Sequence, residues 1–100
     1  MVVAQETRTE HDVKETLVQF LRQVDFAQRL WARANHGHIT FWLQTTPVSH
    51  ETERAVYAAN SLIYRNFPDA RFDFLVINPA MYEEPFAFEP PLGAQEIPLR

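Results

Sequence analysis

The sequence contains no cysteine, a single lysine and two glycines. The missing thiol excludes disulfides, thiolate metal sites, iron–sulfur clusters and cysteine nucleophiles. It also matches the usage expected in a reducing compartment, so a cytoplasmic location is expected. Lys14 stands against eight arginines, and 13 acidic residues bring the formal net charge to −4. That balance disfavours nucleic acid as a partner, because such binding rests on neutralising phosphates with Lys and Arg. No apolar run approaches the roughly 18 residues of a membrane span. The opening residues Met1–Glu10 are polar and acidic, unlike a signal or transit peptide. Scarce glycine leaves no Gly-rich phosphate loop, and no internal repeat is visible.

What is present is a chain of 100 residues, enough for one small domain with a modest core. Aromatic residues make up 13% of it, and both tryptophans fall in the stretch Arg29–Trp42, RLWARANHGHITFW. Residues 1–8 read as a loose lead-in. From Thr9 the apolar residues Val13, Leu17, Phe20, Leu21 and Val24 recur on one helical stripe, which predicts a helix near 10–24 with Thr9 and Asp12 at its start.

Residues 26–34 fit either a helix or a strand, and the following segment breaks the tie. Ile39, Phe41 and Leu43 alternate with Thr40, Trp42 and Gln44, a strand pattern. The loop Asn35-His36-Gly37-His38 supplies Asn and Gly for positive φ. Setting Ala34 opposite Ile39 then pairs Ala32 with Phe41, Trp31 with Trp42 and Leu30 with Leu43, apolar residues on one face and both tryptophans on the other. A second helix is expected over 48–66, with Pro47 before it and Ser49 or Thr46 as its cap. A strand, RFDFLVI, follows at 71–77, apolar on both sides and expected to be covered on both. Five of the seven prolines lie in the last 22 residues, so 79–100 reads as an extended arm after a domain at 9–78. The expected fold is an α+β two-layer sandwich in the order α-β-β-α-β. Two helices cover one face of a three-stranded mixed sheet, strands 2 and 3 run parallel, and a Pro-rich C-terminal arm follows.

The candidate chemistry is sparse. His36 and His38 are two apart, but a metal centre needs further ligands. His50 would lie about 23 Å away, beyond seven strand residues of about 3.3 Å each. No metal or cofactor is expected. His50-Glu51-x-Glu53 departs from the zinc-protease pattern, and its acids suit a helix N-terminus. The C-terminal ends of strands 2 and 3 meet that helix, which makes Thr45, Thr46, Ser49, His50 and Asn78 the candidate ligand crevice. Asp73 lacks a second convergent carboxylate for acid–base or metal work, so Arg29 or Arg33 is its expected partner. No catalytic residue is assigned. Arg29, Trp31, Arg33 and Trp42 form the strongest cluster, of the composition that marks interaction hot spots. The arm's Phe86 and Phe88, or a second molecule, are expected to cover it.

The element order resembles that of the small nucleotidyltransferase domains of bacterial toxin–antitoxin pairs, with residues about 13–76 laid on that plan. The resemblance implies a nucleotide-binding α/β layout and matches Asp73 to the third acid. Where the family carries Gly-Ser this chain reads Ala32-Arg33-Ala34, and its Asp-x-Asp strand reads Ile39-Thr40-Phe41-Trp42-Leu43. Without those carboxylates Mg²⁺ cannot be held against phosphates, so the resemblance implies a catalytically dead member. The functional expectation is a non-enzymatic domain that self-associates, as a dimer, or binds a protein partner. The alternative is a small-molecule or nucleotide binder or enzyme using the crevice.

Overall fold

The computed structural model describes residues 8–82 and 88–99. Helix α1 spans Arg8–Arg22, strand β1 Ala27–Asn35, β2 His38–Thr45, helix α2 His50–Asn66, β3 Phe72–Ile77 and β4 Gln95–Ile97, with a 3-10 turn at Pro79–Met81. The sheet has four strands in the order β3-β2-β1-β4, not the three expected. The first helix starts earlier than its stripe suggested, so Thr9 lies inside α1 and is not its cap.

The hairpin has the register that alternation predicts: Leu30 faces Leu43, Trp31 faces Trp42, Ala32 faces Phe41 and Ala34 faces Ile39. Its loop is shorter than expected. Asn35 pairs with His38, and His36 and Gly37 alone turn the chain at φ 53° and 80°. Two consecutive positive φ values make the tight turn whose twist matches a hairpin. Histidine rather than asparagine takes the first of them. A bulge at Gln28, between Ala27 and Arg29, lets Ala27 join the buried face beside Leu30.

Strands β2 and β3 pair in parallel, with Phe41 opposite Phe74. The core lies between this sheet and both helices. Val13, Leu17 and Leu21 of α1 and Val56 and Ile63 of α2 pack on Leu30, Phe41, Leu43, Phe72 and Phe74. Each such side chain, fully buried, contributes about 1.5–3 kcal/mol. Helix α2 is capped by Ser49, whose Oγ accepts from the Thr52 N–H at 3.2 Å.

Both ends of the sheet order are managed. The Ile39 N–H donates to the Arg71 carbonyl at 3.0 Å, so Phe72, Phe74 and Val76 present their backbone groups to the free side of β3. Two tyrosines of α2 reach over that side. The Tyr64 hydroxyl donates to the Phe72 carbonyl, and the Val76 N–H donates to the Tyr57 hydroxyl at 3.2 Å. At the opposite side β4 pairs antiparallel with Leu30–Ala32. It arrives through a turn at Pro91–Ala94 with Gly93 at φ 89°, closed by the Ala94 N–H on the Pro91 carbonyl. Arg22 fastens the chain just beyond β4, donating to the carbonyls of Leu99 at 3.1 Å and Pro98 at 3.2 Å, and Leu99 is buried. The arm is thus partly sheet and partly core.

Candidate functional site

Alternation places Arg29, Trp31 and Arg33 of β1, His38, Thr40 and Trp42 of β2, Asp73 and Leu75 of β3 and Glu96 of β4 on the sheet face away from the helices. The two tryptophans are only 4% and 7% exposed, so this face is not an open aromatic platform. Phe88 of the arm sits 5.2 Å from Trp31, tilted by 51°. The Arg29 guanidinium lies 4.9 Å from the Trp31 ring and that of Arg33 5.7 Å from Trp42, cation–π distances. Phe86, the other expected cover, lies outside the described residues.

The arginines are held by the arm. Arg29 grips the Glu96 carboxylate with two bonds, Nε to Oε2 at 3.1 Å and Nη2 to Oε1 at 2.6 Å. The hydrogen bond and charge of Glu96 push the Arg29 pKa up, and the hydrogen bond from Arg29 holds Glu96 below the usual carboxylate range. Arg33 donates to the Leu92 carbonyl at 3.3 Å. Glu96 was missed in the sequence because a three-residue strand carries no periodicity.

Asp73 does not pair with an arginine. Its Oδ2 lies 2.9 Å from Nε2 of His38, across the β2–β3 pair, and both side chains are about half exposed. The partner differs from expectation because both arginines are engaged by β4 and the preceding turn, two strands away from β3. His38 belongs to β2, not to the loop, whereas His36 stays in the turn. Two groups make a side-chain contact, not a metal centre, and among the described residues no cluster of three or more His, Asp or Glu could hold an ion.

The predicted crevice is brought together but is used by the fold. Asn78, 1% exposed, accepts from the Val48 N–H at 3.1 Å and from the Ala80 N–H at 3.2 Å, and donates to the Val48 carbonyl at 2.9 Å. Ser49 caps α2 and donates to Thr52 Oγ1 at 3.1 Å. The Thr46 N–H is bonded to the Phe26 carbonyl, and Thr45 is fully buried with no partner for its hydroxyl among the described residues. His50 projects to solvent. A ligand there would have to displace bonds that build the β2–α2 connection.

Of the hollows elsewhere among the described residues, two bear on binding. One, of about 520 Å³, opens beside the end of β4, between Lys14, Ala34, Arg33, Gln95 and Ile97. The other, of about 400 Å³, is an apolar groove between the helices, lined by Phe20, Val24 and Phe26 on one side and Thr52, Ala55, Val56 and Ala59 on the other, with Glu51 at its rim. Sequence reading missed this groove. Its signal is the pair of small residues Ala55 and Ala59 on α2, opposite the large Phe20 of α1. No described helix is long and apolar enough to cross a membrane. No family model, no curated protein and no solved structure matches this chain.

Proposed function

We propose that this chain is a non-enzymatic interaction domain that self-associates, and that its contact surface lies on the helical layer rather than on the tryptophan face. The observation that carries the reading is the apolar groove between α1 and α2, an open hollow of about 400 Å³ in a small domain whose tryptophan face is occupied by its own arm. Exposed apolar surface of this kind marks contact sites. Asn78, Ser49 and the Thr46 N–H of the expected crevice are engaged by the fold, which favours binding over catalysis. The cysteine-free composition supports a cytoplasmic setting. The nucleotidyltransferase-like layout enters as element order alone, since β2 carries no acid where that family has its Asp-x-Asp strand. Light scattering after size exclusion tests the proposal. A mass of twice 11.7 kDa at tens of micromolar supports it, and a monomer at high micromolar concentration overturns it.

A second reading, small-molecule binding, is favoured by the hollow beside β4. Its volume falls in the range of about 300–1,000 Å³ typical of ligand pockets. Lys14 and Arg33 line it, and the one acid there, Glu96, is neutralised by Arg29. The matching ligand is a small carboxylate with an apolar body. Thermal stabilisation by hexanoate, lost in Lys14→Gln, would support this reading. No shift up to millimolar hexanoate would remove it.

A further inference from the structure

We infer that the self-association surface is an antiparallel pairing of α2 with α2 of a second copy about a two-fold axis; this rests on the self-association proposed above and names its geometry. In a helix, positions four, seven, eleven and fourteen residues apart return to one face. Counted from Glu51 these are Ala55, Ala58, Leu62 and Arg65, and all five are exposed. They lie away from the buried stripe of Val56, Asn60 and Ile63. Leu62 is 56% exposed, a large apolar side chain raised above the alanines at the centre of the stripe.

The stripe is complementary to itself when reversed. An axis passing beside Ala58 sets Leu62 of each copy over Ala55 of the other, where Ala55 forms the lip of the apolar groove. The groove is then filled by Leu62 from the second copy, beside Phe20 and Val24. The alanines let the two helices approach closely, toward the short end of the usual 8–10 Å separation. The same axis sets Glu51 of each copy against Arg65 of the other. Neither residue has an ion-pair partner among the described residues, unlike Arg29 and Glu96. Apolar knob and hollow thus meet near the centre, with opposite charges at both ends, and every contact off the axis occurs twice. This is the isologous arrangement that closes a dimer. A parallel pairing would instead set Glu51 on Glu51 and Arg65 on Arg65.

Four variants read by light scattering across a concentration series, with far-UV circular dichroism melts as the folding control, test the inference. Leu62 is solvent-exposed within the subunit, so Leu62→Glu is expected to keep a wild-type far-UV spectrum and a cooperative melt, lowered only by the lost association, and to elute as a monomer. Glu51→Arg and Arg65→Glu are each expected to weaken the dimer by about tenfold, because each creates two like-charge contacts. The double variant E51R/R65E is expected to return to wild-type affinity. A wild-type dimer indifferent to Leu62→Glu overturns this interface while leaving self-association standing, and a wild-type monomer overturns both. Dissociation by Leu62→Glu without rescue in the double variant overturns the antiparallel pairing.

Discussion

Asn78 shows how one side chain can hold a connection that no periodicity describes. Its carboxamide is 1% exposed and bridges the backbone of Val48, 30 residues earlier, through both a donor and an acceptor. The link locks the end of β3 to the β2–α2 connection, just ahead of the Ser49 cap. Truncation to alanine leaves the Val48 N–H and carbonyl without this partner, which costs about 2–3 kcal/mol in total. In a domain of this size the melting temperature of Asn78→Ala is expected to fall by roughly 10 °C or more. Asn78→Asp keeps the acceptor and loses the donor to the Val48 carbonyl, so it is expected to fall between alanine and wild type. Equal melting temperatures for all three would show that the clamp contributes nothing. In the sequence this residue reads as a ligand-binding amide because the alphabet shows its donors and acceptors but not their partners. The same holds for Asp73, whose partner His38 is 35 residues away.

At the scale of elements, the two outer strands are protected by different means, and each responds to pH in its own direction. β3 is covered by hydroxyls of α2. Tyr64 stacks on Phe72 at 4.1 Å and donates its proton to the Phe72 carbonyl, and its pKa is raised, first by burial and then by the charge of Asp73. A phenol whose folded pKa lies above its unfolded value of about 10 keeps its proton longer in the folded state. Stability therefore falls as pH rises through about 10 toward the folded value. Tyr64→Phe is expected to be less stable at neutral pH by about 1 kcal/mol, with that difference shrinking in urea melts above about pH 10. β4 is held by Arg29–Glu96, and there the sign is reversed. A carboxylate held below its usual range adds stability above its unfolded value of about 4.3, and that stability is lost as pH falls through the folded value. The difference between wild type and Glu96→Gln is expected to be present at pH 6, to shrink progressively as pH falls below about 4.3, and to shrink in high salt, as an exposed pair requires. A difference that grows on acidification would refute this role. These two edges also mark where sequence reading ran out. The hairpin register was legible because two strands of eight or nine residues alternate cleanly around a tight turn. Gln95–Ile97 is too short for a period and becomes a strand only because β1 offers it an open edge. The groove residues were legible as helix stripes, but the gap between two stripes depends on how far apart the helices sit.

For the molecule as a whole, the question is whether the last ten or so residues are an appendage or part of the fold. They close the β1 edge at Leu30–Ala32, place Leu99 in the core, and fasten both ends of the segment through Arg22 and Arg33. Losing the burial of Leu99 alone costs about 2 kcal/mol. Losing β4 adds its cross-strand pairs, each about 0.2–1 kcal/mol, and bares the backbone of β1 to other chains. Against a total stability of about 5–15 kcal/mol for a typical small domain, that is a large share. A chain ending at Glu89, which retains Phe88 over Trp31, is therefore expected to lose roughly 20 °C or more of melting temperature and to aggregate through the exposed β1 edge on size exclusion. Phe88→Ala in the full chain is expected to act locally instead. Its Trp31 becomes more accessible, seen as a red-shifted fluorescence and stronger iodide quenching, while β4 and the melting transition persist. A truncated chain that melts like the wild type would show that residues up to Phe88 stand alone, and that the sheet needs three strands rather than four.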